Sequence, residues 1–399
     1  MENLGQTPFV ELPEALVEEM LSKSEEIADI LYDSFQKIQK IRAEIRDKLL
    51  ENKENKYKYI LKLEELELDS STGQIKIPTT SGVDGAYAIE RRLSVDIVAC
   101  AAVAIEGLTP PSEERHWPRP YHKVFIHPEK HDPDTGMVIR GLMIEMELEL
   151  AAKAPHDIVF LDGSLTTPLI YINQAINKII EWENEGNQTK VGEQVKKGFK
   201  QFLENYKIIL KSTNKSWVGI PKYTTKRELG KMYNWPDEYD DRAILTIILS
   251  PGEFTKPIKI EKPKQPWHLK VPFDNQEIKQ LRDEVISAID DIYIIYYRPW
   301  DWTPAFRIEV PSSIANDNSR MKALLLGIKH QCANSGIMEP YPLYLADRMV
   351  KHIGKGVSAS LHINIKKMTE LQLQMVELHQ GSVDGIFFSM HSYRTENGG

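Results

Sequence analysis

Between Met137 and Ile220 the chain alternates helical and strand-like segments, and this alternation restricts the fold more than any other feature. Met137 to Ala152 carries apolar residues at helical spacing, and Asp157 to Leu161 is a short, fully apolar run ending in Asp162-Gly163-Ser164-Leu165. Leu169 to Glu183 and Val191 to Leu210 fit amphipathic helices, and Ser216 to Ile220 a second short strand. The pattern is mixed α/β, with polar turn residues at strand ends, where the active sites of open sheets gather. Upstream, Tyr87 to Glu90 and Leu93 to Ile105 are β-rich around a polar corner, and the Pro- and His-rich stretch Leu108 to Asp134 predicts an inserted loop or a hairpin around KVFIH. Downstream, Asp241 to Leu249 fits a helix or a strand, and Ile292 to Tyr297 and Ala305 to Val310 fit strands. Arg320 to Cys332 fits a helix, and Tyr341 to Ile353 a helix opened by proline.

The N-terminal part has a different texture. From Pro13 to about Asn55 apolar residues recur at gaps of three, four or seven among charges, predicting a long amphipathic helix with a break near Ser22 to Ser24. Such a helix packs on the main body or serves as a dimerisation or partner-docking arm. A lysine-rich linker, ENKENKYKY, follows it. Lysine and arginine total 50 against 58 acidic residues, a net charge of -8 that opposes nonspecific attraction of the whole surface to polyanions. The two cysteines, Cys100 and Cys332, form neither a zinc pattern nor a disulfide framework, which fits a reducing compartment. Lacking an apolar run of about 20 residues and opening on an acidic segment, the chain is expected to be cytoplasmic, with no membrane contact. The pattern GxxxxGK[ST] does not occur, so no ATP hydrolysis is expected of the chain itself.

The chemistry is expected in acidic residues. Two Asp-Gly pairs lie at the edges of apolar strands: Asp84-Gly85 before one and Asp162-Gly163 after another, each with the composition of a turn. Between them, Glu145, Glu147 and Glu149 alternate with Met146, Leu148 and Leu150, and at about 100° per residue Glu147 stands about 160° round the helix from each of the other two, so at least one is free to point into a site. Carboxylates converging without histidine or cysteine suit hard, oxygen-loving cations, Mn²⁺ or Mg²⁺, and phosphoryl chemistry. A metal-free hydrolase using Asp84 and Asp162 as paired carboxylates is an alternative. The histidines His116, His122, His127 and His131 lack zinc spacing. Lys190 to Lys200 and Lys256 to Lys270 interleave basic residues with Phe199, Trp267 and prolines, a composition shared by nucleic-acid tracks and solvated surface.

The ordered blocks VDGAYA, a glutamate on an apolar helix, VFLDGSL, WVGIPKYTTKREL, DRAILTIILSPGEFT, FRIEVP and EPYPLYLADRMVKHI resemble the NurA nuclease family from about Gly82 to Ile353. The resemblance implies an RNase H-like mixed sheet flanked by helices, manganese-dependent cleavage of DNA, a homodimer and a HerA-type hexameric ATPase as partner, in DNA end processing or anti-phage defence. It divides the chain into an N-terminal helical arm, 1–72, a nuclease domain, 73–360, with helical insertions around 169–215, and a C-terminal extension, 361–399. Residue by residue it implies Asp84, Asp162 and a middle glutamate, Glu145 or its neighbour Glu147, as metal ligands. It adds Lys222 as a phosphate contact and Tyr341 as an aromatic near the active site. Asp347 stands where relatives carry histidine, and His352 on the same helix is expected to be structural. A nuclease fold that has lost its chemistry and only binds DNA is the alternative.

Overall fold

The computed structural model describes residues 13–50, 59–66, 76–91, 95–352, 356 and 395–398. The chain forms two compact units, Met1–Tyr59 and Ile60–Gly399. The first holds helix α1, Glu14–Leu50, which runs through Ser22 and Ser24 without the expected break. Strong helix formers surround the serines, and serine disfavours a helix interior by only about 0.5 kcal/mol. The expected continuation to Asn55 lies outside the described residues.

The second unit is built on one sheet. Its elements are β1 (Ile60–Lys62), β2 (Thr80–Arg91), β3 (Asp96–Glu106), β4 (Tyr121–Glu129), α2 (Thr135–Lys153), β5 (Ile158–Asp162), α3 (Thr167–Asn184), α4 (Lys190–Lys211) and β6 (Ser216–Ile220). Then come α5 (Glu228–Tyr233), α6 (Asp241–Ile248), β7 (Glu253–Thr255), β8 (Ile258–Lys259), α7 (Gln276–Ile289), β9 (Ile292–Arg298) and β10 (Phe306–Pro311). After α8 (Ser312–Ala315) and α9 (Asn318–Gln331), helix α10 spans 341–352 and β11 spans Thr395–Gly398. The strand order is β1-β7-β9-β10-β6-β5-β2-β3-β4, with β8 paired to β9 and β11 to β2. Within it, β4-β3-β2 is an antiparallel meander, and β5 and β6 add to β2 in parallel. This is a mixed α/β sheet flanked by helices, the fold class expected from the sequence. Ile353 and most of the C-terminal segment 361–399 lie outside the described residues.

Both faces of the central strands are covered, which is why they read as continuous apolar runs. On β5, Val159 and Leu161 enter a core built with α2, α3 and α4, while Ile158 and Phe160 enter a second core with α9 and β10. A third cluster joins Ala86, Val103 and Ile105 of β2 and β3 to Ala346 and Val350 of α10.

Of the two readings of Leu108 to Asp134, the hairpin around KVFIH is the one the fold shows, because Tyr121–Glu129 pairs antiparallel along β3 as an edge strand. One expectation needs correction. Asp84-Gly85 is not a turn, since both residues lie within the twelve-residue strand β2, hydrogen-bonded between β3 and β5 up to Val83. The glycines there permit close approach. A Cβ on Gly82 would sit 2.6 Å from the Pro342 backbone of α10, and one on Gly85 would overlap the Glu147 carboxylate of α2.

Candidate metal centre

Strand alternation sends Gly82, Asp84 and Ala86 to the face covered by α10, and Gly85 and Tyr87 to the face covered by α2. Asp84 is therefore presented to Asp347, which α10 carries over the sheet. Asp162 ends β5 beside β2, where Gly163 turns the chain at φ +106°. Carboxylate oxygens of Asp84, Asp162 and Asp347 lie within 4.8 Å of one another. Lys222, just past β6, reaches in among them, with its Nζ 2.9 Å from Asp162, 3.1 Å from Glu339 and 3.3 Å from Asp347. Glu147 approaches from α2, filling the space that a side chain on Gly85 would take.

The electrostatics follow from packing like charges out of water. Burial, then the Asp162 charge, pushes the Asp84 carboxyl up to about 8, against the pull of Lys222. Burial, then Asp84 and Asp162, holds Glu147 well above the ordinary range. Asp162 and Glu339 are raised by burial as well, although Lys222 draws both down. Asp347 is lowered, because hydrogen bonds and charge from Lys351 and Lys222 outweigh its partial burial. Burial alone would depress Lys222, yet the Asp162 and Glu339 carboxylates raise it. One Asp84 oxygen accepts from the Gly85 N–H, while Oδ2 is buried with no hydrogen-bond partner. An orphaned carboxylate oxygen among further carboxylates, with no imidazole or thiol, is a donor set for a hard divalent cation, so the residues present fit Mn²⁺ or Mg²⁺.

The sequence profile of the NurA domain matches residues 68–351. The chain belongs to the NurA family. No curated protein matches it by sequence. Among solved structures, the NurA nuclease from Sulfolobus solfataricus superposes with a TM-score of 0.51 at 16% identity, covering 88% of this chain and 98% of that one. A structure of NurA bound to dAMP and manganese superposes with a TM-score of 0.51 at 14% identity, covering 91% of this chain and 99% of that one. At those identities the likeness is one of fold.

Of the residues expected from the NurA resemblance, Asp84, Asp162 and Lys222 meet at one place, with Glu147 beside them. Glu145 does not join them. Its carboxylate lies against Gly198 of α4, where burial raises its pKa most, Lys123 pulls it down and Glu149 pushes it up. Tyr341 is half-buried in the first turn of α10 and makes no hydrogen bond to the cluster among the described residues. His352 is exposed rather than packed. Asp347, to which the sequence assigned no role, adds a third carboxylate, and Glu339 was not anticipated at all. Both come from a segment remote in sequence from Asp84 and Asp162, Asp347 on α10 and Glu339 just before it, and neither carries a local signal of its role. The four histidines disperse, with His131 2.6 Å from Asp96 and His116 edge-on to His156. Many lysines of the two basic stretches are paired, among them Lys196 with Glu183, Lys200 with Glu277 and Lys262 with Asp290, as on a solvated surface.

Proposed function

We propose that this NurA-family chain is a divalent-metal-dependent DNA nuclease whose ligands are Asp84, Asp162, Asp347 and Glu147. The observation that carries this reading is the convergence of three aspartates within 4.8 Å, one with a bare buried oxygen. Manganese or magnesium bound there supplies water activation and stabilisation of the leaving oxygen in phosphodiester hydrolysis. The protein's own share is electrostatic and positional. Lys222 offsets part of the carboxylate charge and is placed to contact a phosphate oxygen of the substrate. A cavity of about 270 Å³, lined by Lys222, Tyr223, Arg242, Met338, Glu339 and Tyr344, opens beside the cluster and offers room for a nucleotide next to the scissile bond. Tyr223 and Tyr344 are aromatic side chains of this wall, whereas Tyr341, at the start of α10, does not line it. Paired-carboxylate glycoside hydrolysis fits less well, because its carboxyl groups stand about 5–9.5 Å apart to admit a sugar or a water.

The finer assignment is endonuclease and 5'-3' exonuclease action by a homodimer fed by a HerA-like hexameric ATPase, in DNA end processing or anti-phage defence. Its support is indirect: the family membership, the absence of a phosphate-binding loop, and a net charge of -8 with many lysines already paired. Labelled single- and double-stranded DNA incubated with the full chain tests the core of the proposal. Cleavage is expected with Mn²⁺ or Mg²⁺ and none with EDTA. Cutting that survives EDTA, or that Asp84→Ala and Asp162→Ala leave intact, would overturn it.

A further inference from the structure

The turn that carries Asp162 is gripped by a buried charge network that the chemistry above does not use. Glu309 of β10, three strands from β2 in the sheet, sits opposite Gly219 of β6 and is 2% exposed. Its Oε2 accepts from the Ser164 hydroxyl at 2.6 Å and from the Leu165 N–H at 2.9 Å. Its Oε1 accepts from Arg307 Nε at 3.1 Å. Arg307 is itself buried, donates to both Glu228 oxygens at 2.8 and 2.9 Å, and also donates to the Tyr296 hydroxyl at 3.1 Å. Asp241 completes the chain by accepting from the N–H groups of Leu229 and Gly230 at 2.8 and 2.7 Å, which holds the helix bearing Glu228.

Burying an arginine with two carboxylates is a poor way to gain stability, because desolvation offsets most of the attraction. What such a network does supply is a fixed geometry. Glu309 is bonded two and three residues beyond Asp162, on the far side of the Gly163 turn. With Asp162 also held by Lys222, the two ends of the turn are pinned.

We propose that Glu309 is a positioning residue for metal binding: it fixes the turn 162–165 so that the Asp162 carboxylate faces Asp84 and Asp347, with Arg307 and Glu228 as its counter-charges. This rests on reading the aspartate cluster as a divalent-metal site.

Direct Mn²⁺ binding to the full chain, followed by titration calorimetry and by electron paramagnetic resonance of free Mn²⁺, tests it alongside nuclease rates over a Mn²⁺ series. Glu309→Gln is expected to weaken Mn²⁺ binding about 10- to 100-fold, as loss of a partner that orients a ligand does, while the rate at saturating Mn²⁺ falls far less. Unchanged Mn²⁺ affinity in this variant, or a lost rate that no Mn²⁺ concentration restores, would overturn the proposal. Should Glu309→Gln fail to fold, Ser164→Ala removes one bond to Glu309 and leaves the Arg307 pair intact. A several-fold weaker Mn²⁺ affinity is expected there, and no change would overturn the proposal equally. Wild-type protein that binds no Mn²⁺ would instead bring down the metal-site reading itself, and this inference with it.

Discussion

At the level of single residues, the choice between Glu145 and Glu147 depends on the rotation of α2 about its own axis. Two residues along a helix turn the side chain by about 200°, so only one of the pair can face β2. Packing gives that place to Glu147, against Gly85, and sends Glu145 toward Gly198. Glu147→Gln is therefore expected to lower nuclease turnover by at least about 100-fold and Glu145→Gln by less than about threefold, measured at saturating Mn²⁺. The reverse ranking would return the ligand to Glu145. The same burial predicts a pH dependence. Asp84 is pushed from 3.8 to about 8, so between those values the metal-free folded state keeps a proton that the unfolded chain has released. Stability of the metal-free protein then falls as pH rises through that window. Melting temperatures in EDTA should decline from pH 5 to pH 8, with Mn²⁺ recovering most of the loss at the upper end, where the bound ion takes the place of the proton. A melting temperature that climbs over this range would contradict the burial-driven shift.

Among elements, β2 and α10 have the greatest influence on the site. The strand puts Asp84 at its middle, and α10 can lie close above it only because residue 82 has no side chain. Gly82→Ala forces a Cβ against the Pro342 backbone, which cannot swing aside as a side-chain tip does. We expect a loss of about 1–3 kcal/mol in urea unfolding, together with weaker Mn²⁺ binding as Asp347 shifts. Wild-type stability in that variant would mean that α10 sits further from β2. The elements found only in the fold have physical reasons for their poor signals. Strands β1, β7 and β8 have three residues or fewer, too short for an alternating pattern to register. Helix α7 has the opposite character. Its Asn275 cap and the spacing of Ile278, Leu281, Val285 and Ile289 are plain in the sequence, although no expectation was attached to them.

For the molecule as a whole, assembly with a second copy and with a motor can each be tested. Helix α1 exposes Leu16, Met20, Leu21, Ile27, Ile30, Leu31 and Phe35, with Met20 at 58% and Leu31 at 65%. A run of exposed apolar side chains on one long helix is the kind of surface a second subunit covers. If α1 mediates the proposed homodimer, the triple variant Met20→Glu, Ile27→Glu, Leu31→Glu should sediment as a monomer while still binding Mn²⁺. A wild-type monomer, or a variant that stays dimeric, would exclude that role. The proposed motor is tested separately. A HerA-like ATPase is expected to accelerate cleavage of duplex DNA only with ATP, and equal rates with and without ATP would mark an autonomous enzyme. Among the described residues, no helix is long and apolar enough to cross a membrane.

Local pattern was enough for much of this protein. The apolar run Ile158–Asp162 with its Gly163 turn, the amphipathic α3 and α4, and the residue types of a hard-cation site were all legible, because periodicity, turn chemistry and donor hardness are properties of neighbouring residues. The role of each glycine and the direction of each carboxylate were not. Gly82 and Gly85 look like turn residues until α10 and α2 are seen to press on them, and Asp347 looks like a surface charge until α10 lies over Asp84. Those are relations between segments remote in sequence. Only the packing of α2 and α10 on opposite faces of β2 decides them, since close contact, burial and mutual repulsion exist only after the segments meet.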